Sequence, residues 1–399
     1  MAGTVPLIEP KSTEIVPQRK PRSILIGRET LLGECGRMLM DQHHEIVAVV
    51  APEGPAAAWA RRAGIPLFSR LKDLLEAGLE PVDYLFSITN LAVLPAEALA
   101  LASRAAINFH DGPLPAYAGL NTPSWALLAG EVEHGVTWHL MTDDVDCGDV
   151  LADEIIAIED GETSLSLNTK CFEAGLRTFA ALAANLEVLL MGRRPMSGRP
   201  SRFFGKDARP AAAATIDWYA PAEEIARQVS ALYFGAYRNP LGLSKALLGD
   251  RLLLVQGVTV LDSCSGAEPG MVVEGGEMAI VATGSRDIRL ERLATVDGEP
   301  LPLSILQAGE SFTSLESERQ IMLATLDRAA ARYEGWWHRR LAACDPLLLP
   351  QFQAKSGIEA VAHTVSDHLV PAGRTACDLL AAWVAYLGRV ADRDTVDIG

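Results

Sequence analysis

From residue 23 to about 158, short apolar runs alternate with longer stretches in which apolar residues recur three and four positions apart. The runs SILIG (23–27), EIVAVV (45–50), DYLFSI (83–88) and AAINF (105–109) predict buried strands. Segments near 30–41, 55–63, 70–77, 95–102 and 121–129 carry the helical period between them. Such alternation implies an α/β domain with a mostly parallel, Rossmann-like sheet under helices. GVTWHLMT (135–142), with period two, and DVLADEIIAI (149–158) predict two more strands, and Thr163 predicts the N-cap of a helix over 164–190.

Beyond this point the pattern changes. The Gly-, Arg- and Pro-rich stretch 192–214 predicts a linker. Pro221 suits the first position of a helix. DRLLLVQGVTV, GMVVEGGEMAIVAT and RDIRLERLATV then predict short strands of a small OB-like β-barrel over 215–305. Residues 306–399 read as helical, and 1–22 as a loose arm before a first domain over 23–191.

Composition narrows the possible functions. The 399 residues carry a net charge of −16, which argues against a broad nucleic-acid footprint. No apolar run approaches the roughly 20 residues of a membrane span, and the N-terminus lacks the apolar core of a signal peptide, so a soluble, cytoplasmic chain is expected. The six cysteines show no metal-ligand spacing, and no metal is expected. LIGRETLLGECG lacks the glycine fingerprint of a dinucleotide site. One local basic run stands out, made of Arg193, Arg194, Arg199, Arg202, Lys206 and Arg209.

The densest chemistry lies in INFHDGPLPAYAGLN (107–121). Asn108 and His110 end a predicted strand, where ligands of open α/β sheets bind, and Gly112, Pro113 and Pro115 force an exposed turn. An amide donor beside an imidazole suits acyl transfer to a nucleophile carried by the substrate. Asp146, in DDVDCGDVL, is the candidate carboxylate partner. Taken alone, Asn-x-His is better explained by a turn cap and a histidine filling the end of a sheet.

The wider context INFHDGPLPAYAGLNTPSWALLAGEVEHGVTWHLMTDDVDCGDVL resembles the catalytic half of the 10-formyltetrahydrofolate-dependent formyltransferases. The family's ordered elements fall here on Asn108 and His110, Leu114-Pro115, Tyr117 and Gly119, Gly135-Val136-Thr137, and Asp146-Cys147-Gly148-Asp149. The resemblance implies that Asn108, His110 and Asp146 are catalytic. It also implies that Phe86, Ser87, Ile88, Thr89, Asn90, Leu94, Thr142, Asp143, Asp144 and Val145 border the folate, largely through backbone groups. Asp111, Leu114, Pro115, Tyr117 and Gly119 become candidate substrate contacts, and His139, alternating with Trp138 on its strand, a weaker candidate that suits a packing or hydrogen-bonded histidine. IDW (216–218), YRNPLG (237–242) and AEPGMVV (267–273) extend the likeness into the second domain.

The particular spelling NFHDGPLPAYAGLN resembles formyltransferase-like domains that open nonribosomal peptide synthetases, and the segments after 330 resemble a condensation-like lead-in. That likeness implies an aminoacyl amine tethered through phosphopantetheine to a carrier domain, which the basic run would meet. Transfer RNA fits the acidic chain poorly. A sugar-nucleotide amine, or a retired docking domain without catalysis, are the alternatives.

Overall fold

The computed structural model describes residues 19–196, 198–237, 239–342 and 375–391. Most of the expected N-terminal arm and most of the condensation-like segment lie outside the described residues. The chain forms two units, residues 1–328 and 329–399.

The first half of the larger unit is the predicted α/β sheet. Its elements are β1 (Arg22–Gly27), α1 (Glu29–Asp41), β2 (Glu45–Val50), α2 (Pro55–Arg62), β3 (Leu67–Phe68), α3 (Leu71–Glu76), β4 (Val82–Ile88), α4 (Ala96–Leu99) and β5 (Ala102–His110). They are followed by β6 (Ala118–Gly119), α5 (Thr122–Ala129), β7 (Glu133–Leu140), β8 (Val150–Ala157), α6 (Ser164–Ala184) and α7 (Leu186–Met191). The strand order is β3-β2-β1-β4-β5-β7-β8. Pairing is parallel up to β5, then antiparallel for β5·β7 and β7·β8. Near-continuous apolar sequence in β1, β2 and β4 is what such doubly covered strands require. One face packs Leu25, Phe86, Phe109, Trp138 and Phe179; the other packs Ile24, Ile26, Leu85 and Leu94.

Two expected boundaries move. The helix placed at 95–102 is one turn, because β5 begins at Ala102 and reaches nine residues to His110. The helix expected over 164–190 starts as predicted, with Thr163 and Ser166 forming a capping box, but breaks at Asn185 into α6 and α7.

The stretch 192–214 is stitched to the first half. Arg194 bridges Val150, and β9 (Phe203–Phe204) pairs in parallel with β6. The arginines here mostly face carboxylates: Arg193 Nε lies 3.0 Å from Asp149, Arg194 pairs with Asp153, and Arg202 lies 2.6 Å from Glu131. The basic run is therefore largely neutralised within the chain.

After α8 (Ala222–Leu232) come β10 (Lys245–Leu248), β11 (Arg251–Val260), β12 (Val272–Glu274), β13 (Ile280–Val281), β14 (Ile288–Ala294), β15 (Pro300–Leu301) and β16 (Phe312–Thr313). They form a nearly closed antiparallel, barrel-like sheet of order β12-β13-β14-β11-β10-β16, with β15 beside β14. A bridge between Met271 and Ser311 draws the ends together. Trp218, fully buried, stacks on Phe312 at 4.8 Å in this second core. Pro221 is the N-cap of α8 rather than its first residue. Among the described residues that follow are α9 (Ser317–Ala342) and α10 (Ala376–Val390). Among the described residues no helix is long and apolar enough to cross a membrane.

Candidate active site

The site begins with the register of two strands. In β5·β7, Asn108 pairs with His139 and Phe109 with Trp138, so the polar pair shares one face and the aromatic pair the other. Phe109 and Trp138 pack as tilted rings, centroids 5.0 Å apart, in the core. Asn108 Nδ2 donates to His139 Nε2 at 3.2 Å, while His139 Nδ1 donates to the Leu140 carbonyl at 2.8 Å. Two residues further, His110 ends β5 with 4 % of its surface exposed.

Beyond β5 the chain turns under tight constraints. A Cβ at Gly112 would lie 2.6 Å from His110 Nε2. Thr137, the last residue of Gly-Val-Thr, donates to the Gly112 carbonyl at 2.8 Å and accepts from the Leu114 N–H at 3.1 Å. His134 Nε2 donates to the Asp111 carbonyl at 2.8 Å, and burial pushes that imidazole below its usual pKa. The turn delivers the Tyr117 carbonyl to His110 Nε2, which donates to it at 2.8 Å. That bond fixes the tautomer: the Nε2 proton is committed, and Nδ1 is the ring atom left to exchange one.

Nδ1 faces carboxylates. Asp146 Oδ2 lies 3.8 Å away and Asp111 Oδ1 4.0 Å. Asp146 is 8 % exposed and accepts from the Gly119 N–H at 2.8 Å, and its Oδ1 is 3.5 Å from His139 Nε2. Burial would raise the pKa of this carboxyl, but the His110 ring, His139 and the Gly119 N–H outweigh it and hold it at about 2. Asp146 is thus a buried, permanent anion at neutral pH. His139 stands between Asn108 and this anion: its neutral ring receives Asn108, and its protonated ring donates to Asp146. The Asp-x-Gly-Asp spacing has a steric reason, since a Cβ on Gly148 would sit 1.8 Å from the Leu140 carbonyl oxygen.

The three residues expected at the centre therefore converge, although 36 positions separate His110 from Asp146. The surrounding candidates divide. Phe86, Ile88 and Leu94 bury their side chains in the two cores, leaving only backbone to the site. Ser87 is buried beside Asn108 in the β4·β5 register. Thr89, at φ 50, turns the chain sharply after β4, and Asn90 closes the loop by donating to the Ala92 carbonyl at 2.8 Å. Thr142, Asp143, Asp144 and Val145 are exposed in the loop before Asp146. The backbones of Leu114, Pro115, Tyr117 and Gly119 scaffold the turn. The Tyr117 side chain is buried, its phenol donating to Glu131 at 2.8 Å and raised to about 12 by burial and that carboxylate.

His139 is a hydrogen-bonded histidine, as its alternation with Trp138 along the strand suggests: period two places residue 139 on the opposite face from Trp138, hence on the polar side. Cys147 lies in the loop with its thiol raised by burial and neighbouring acids, which does not suit a nucleophile. Among the described residues no cluster of side chains could hold a metal ion.

The formyl transferase family matches residues 71–181, and its C-terminal domain matches residues 210–310. Together these matches span more than half of the chain, which belongs to the formyltransferase family. Solved structures share the fold at low identity. An N-formyltransferase from Helicobacter canadensis, complexed with folinic acid and dTDP-3-aminofucose, is 17% identical; the match covers 67% of this chain and 98% of that one, at a TM-score of 0.53. The sugar 3N-formyl transferase WlaRD, solved with dTDP and 5-N-formyl-THF, is also 17% identical, covering 68% and 97% at 0.53. HypX from Aquifex aeolicus, in complex with tetrahydrofolic acid, is 17% identical, covering 74% of this chain and 51% of that one at 0.50.

Proposed function

We propose that the chain transfers a formyl group from 10-formyltetrahydrofolate to a primary amine, with Asn108, His110 and Asp146 as its catalytic residues. The observation that carries this reading is the state of His110: Nε2 is bound to the Tyr117 carbonyl, and Nδ1 faces a buried carboxylate at 3.8 Å. The folate supplies the carbonyl carbon, and the amine attacks it. Protonated at Nδ1, His110 stabilises charge growing on the formyl oxygen, as does the second N–H of Asn108 Nδ2, at about 3–4 kcal/mol for a well-placed donor. Asp146 balances the imidazolium; the Nδ1 proton passes to the departing folate nitrogen, and the proton shed by the attacking amine returns to Nδ1. Exposed Leu91 and Val93 in the loop after β4, and Val145 in the loop after β7, offer apolar surface for the flat ring of a folate.

For the amine, we propose an aminoacyl group held by phosphopantetheine on a carrier domain. Support comes from the spelling of 108–121 and from helical chain beyond the barrel. The arginines of 193–202 contribute little to it, because their charge is mostly matched within the chain.

The test incubates the protein with 10-formyltetrahydrofolate and aminoacyl carrier proteins, reading by mass the gain of one formyl group. Parallel vessels hold an amino-sugar nucleotide and aminoacyl-tRNA. Formylation of the carrier-bound amine is expected. Formylation only in another vessel overturns the carrier assignment, and absence of folate binding overturns the enzyme.

A further inference from the structure

We propose that the crossover segment 201–204 is a positioning element of the active site, clamping the short strand from which both His110 and Asp146 take their orientation. The inference rests on the formyl-transfer reading above and deepens it.

The two edges of β6 serve different partners. Successive backbone groups of an extended strand point in opposite directions. One edge carries the Tyr117 carbonyl and the Gly119 N–H, which hold His110 Nε2 and Asp146 Oδ2, each at 2.8 Å. The other edge meets the crossover. The Ala118 N–H donates to the Arg202 carbonyl at 2.9 Å and the Leu120 N–H to the Phe204 carbonyl at 2.8 Å, while the Ser201 N–H donates to the Pro115 carbonyl at 2.9 Å. A two-residue strand outside the main sheet has little else to hold it. Its inner edge is therefore as well placed as its outer edge is secured.

Side chains lock the same contact. Phe204 stacks on Trp125 at 4.7 Å and 8°, and on Tyr117 at 5.9 Å and 21°. The Arg202 guanidinium lies 4.9 Å from the Tyr117 ring centroid and pairs with Glu131. Gly119, at φ +92, leaves no room for a side chain: its Cβ would fall 2.1 Å from the Phe204 carbonyl. None of these crossover side chains reaches the catalytic trio, so Arg202 and Phe204 act through β6.

The test compares wild type with Phe204→Ala, Phe204→Tyr and Arg202→Met. Phe204→Ala is expected to lower kcat about tenfold or more, since sub-ångström misplacement of catalytic groups is costly. KM for the folate should stay within about twofold, because Arg202 and Phe204 pack on Tyr117, Trp125 and Glu131 rather than on the loops proposed to border it. The acidic limb of the pH–rate profile should move to higher pH as Asp146 loses its Gly119 donor, and Phe204→Tyr should keep both kcat and this limb near wild type. Independently of turnover, amide exchange at Ala118, Gly119 and Leu120 should quicken about tenfold in Phe204→Ala while β1 and β4 amides keep their protection. If Phe204→Ala fails to fold, Arg202→Met takes its place. Unchanged exchange at 118–120, or unchanged kcat and pH profile in a variant whose exchange has quickened, overturns the clamp. A wild type that binds no folate overturns the functional reading instead, and exchange still decides whether the crossover orders β6.

Discussion

Asp146→Asn separates the charge at position 146 from its shape. The carboxylate lies 3.8 Å from His110 Nδ1, and at an effective dielectric of about 20 a full imidazolium–carboxylate pair at that range is worth about 4 kcal/mol. An asparagine that still accepts from the Gly119 N–H points its carbonyl at His110 Nδ1 and its Nδ2 at His139 Nε2, so the shape is kept while the full negative charge that balances an imidazolium is lost. Part of the field is retained by the amide dipole, so kcat should fall about 100- to 1,000-fold, with the folate KM nearly unchanged. Stability offers a second reading of the same charge. The folded carboxyl sits at about 2, below its ordinary value of about 3.9, so its contribution of about 2–3 kcal/mol is present above pH 4 and lost as pH falls toward 2. Denaturant melts of both proteins between pH 7 and 2 measure it: wild type should lose this increment on acidification and Asp146→Asn should not. Turnover within threefold of wild type, together with parallel acid profiles, would refute the account of Asp146 as the buried counter-charge.

Other variants probe neighbouring contacts. His139→Ala leaves Asn108 Nδ2 and Asp146 Oδ1 each without a partner, and about a tenfold loss of kcat is expected by steady-state assay, with Tm lowered by only a few degrees. Gly148→Ala places a methyl 1.8 Å from the Leu140 carbonyl oxygen; displacement of the 141–149 loop should cost about 2 kcal/mol or more in urea melts and remove activity. Trp218→Ala empties the second core where the indole stacks on Phe312, and a loss of about 3–5 kcal/mol should appear in the same melts, with folate binding by the first half less affected.

Legibility followed chain locality. The apolar strands 23–27, 45–50 and 83–88 were plain in the sequence because burial on both faces leaves no other residues suitable. The expected helix at 95–102 overshot because Ala and Leu suit both states, and pairing of Ala102 with Val82 in the sheet prevailed over propensity. The meeting of His110 with Asp146 was legible through motif order, whereas the tautomer of His110 was not, since it depends on a backbone carbonyl at residue 117. The crossover 192–214 read as a linker for a sound local reason: Gly, Pro and Arg break regular elements. What composition cannot express is that two residues, Phe203 and Phe204, find strand partners 85 positions earlier in the chain.

That last pairing bears on how the protein can be divided. A chimaera that exchanges the barrel for another by cutting anywhere between 192 and 204 would carry away a strand belonging to the first half's own architecture, and would leave Trp125 and Tyr117 with a bare aromatic face. Grafts joined after Gly205 retain it. The boundary that separates the halves mechanically thus lies on the barrel side of the residues whose composition looks most like a hinge.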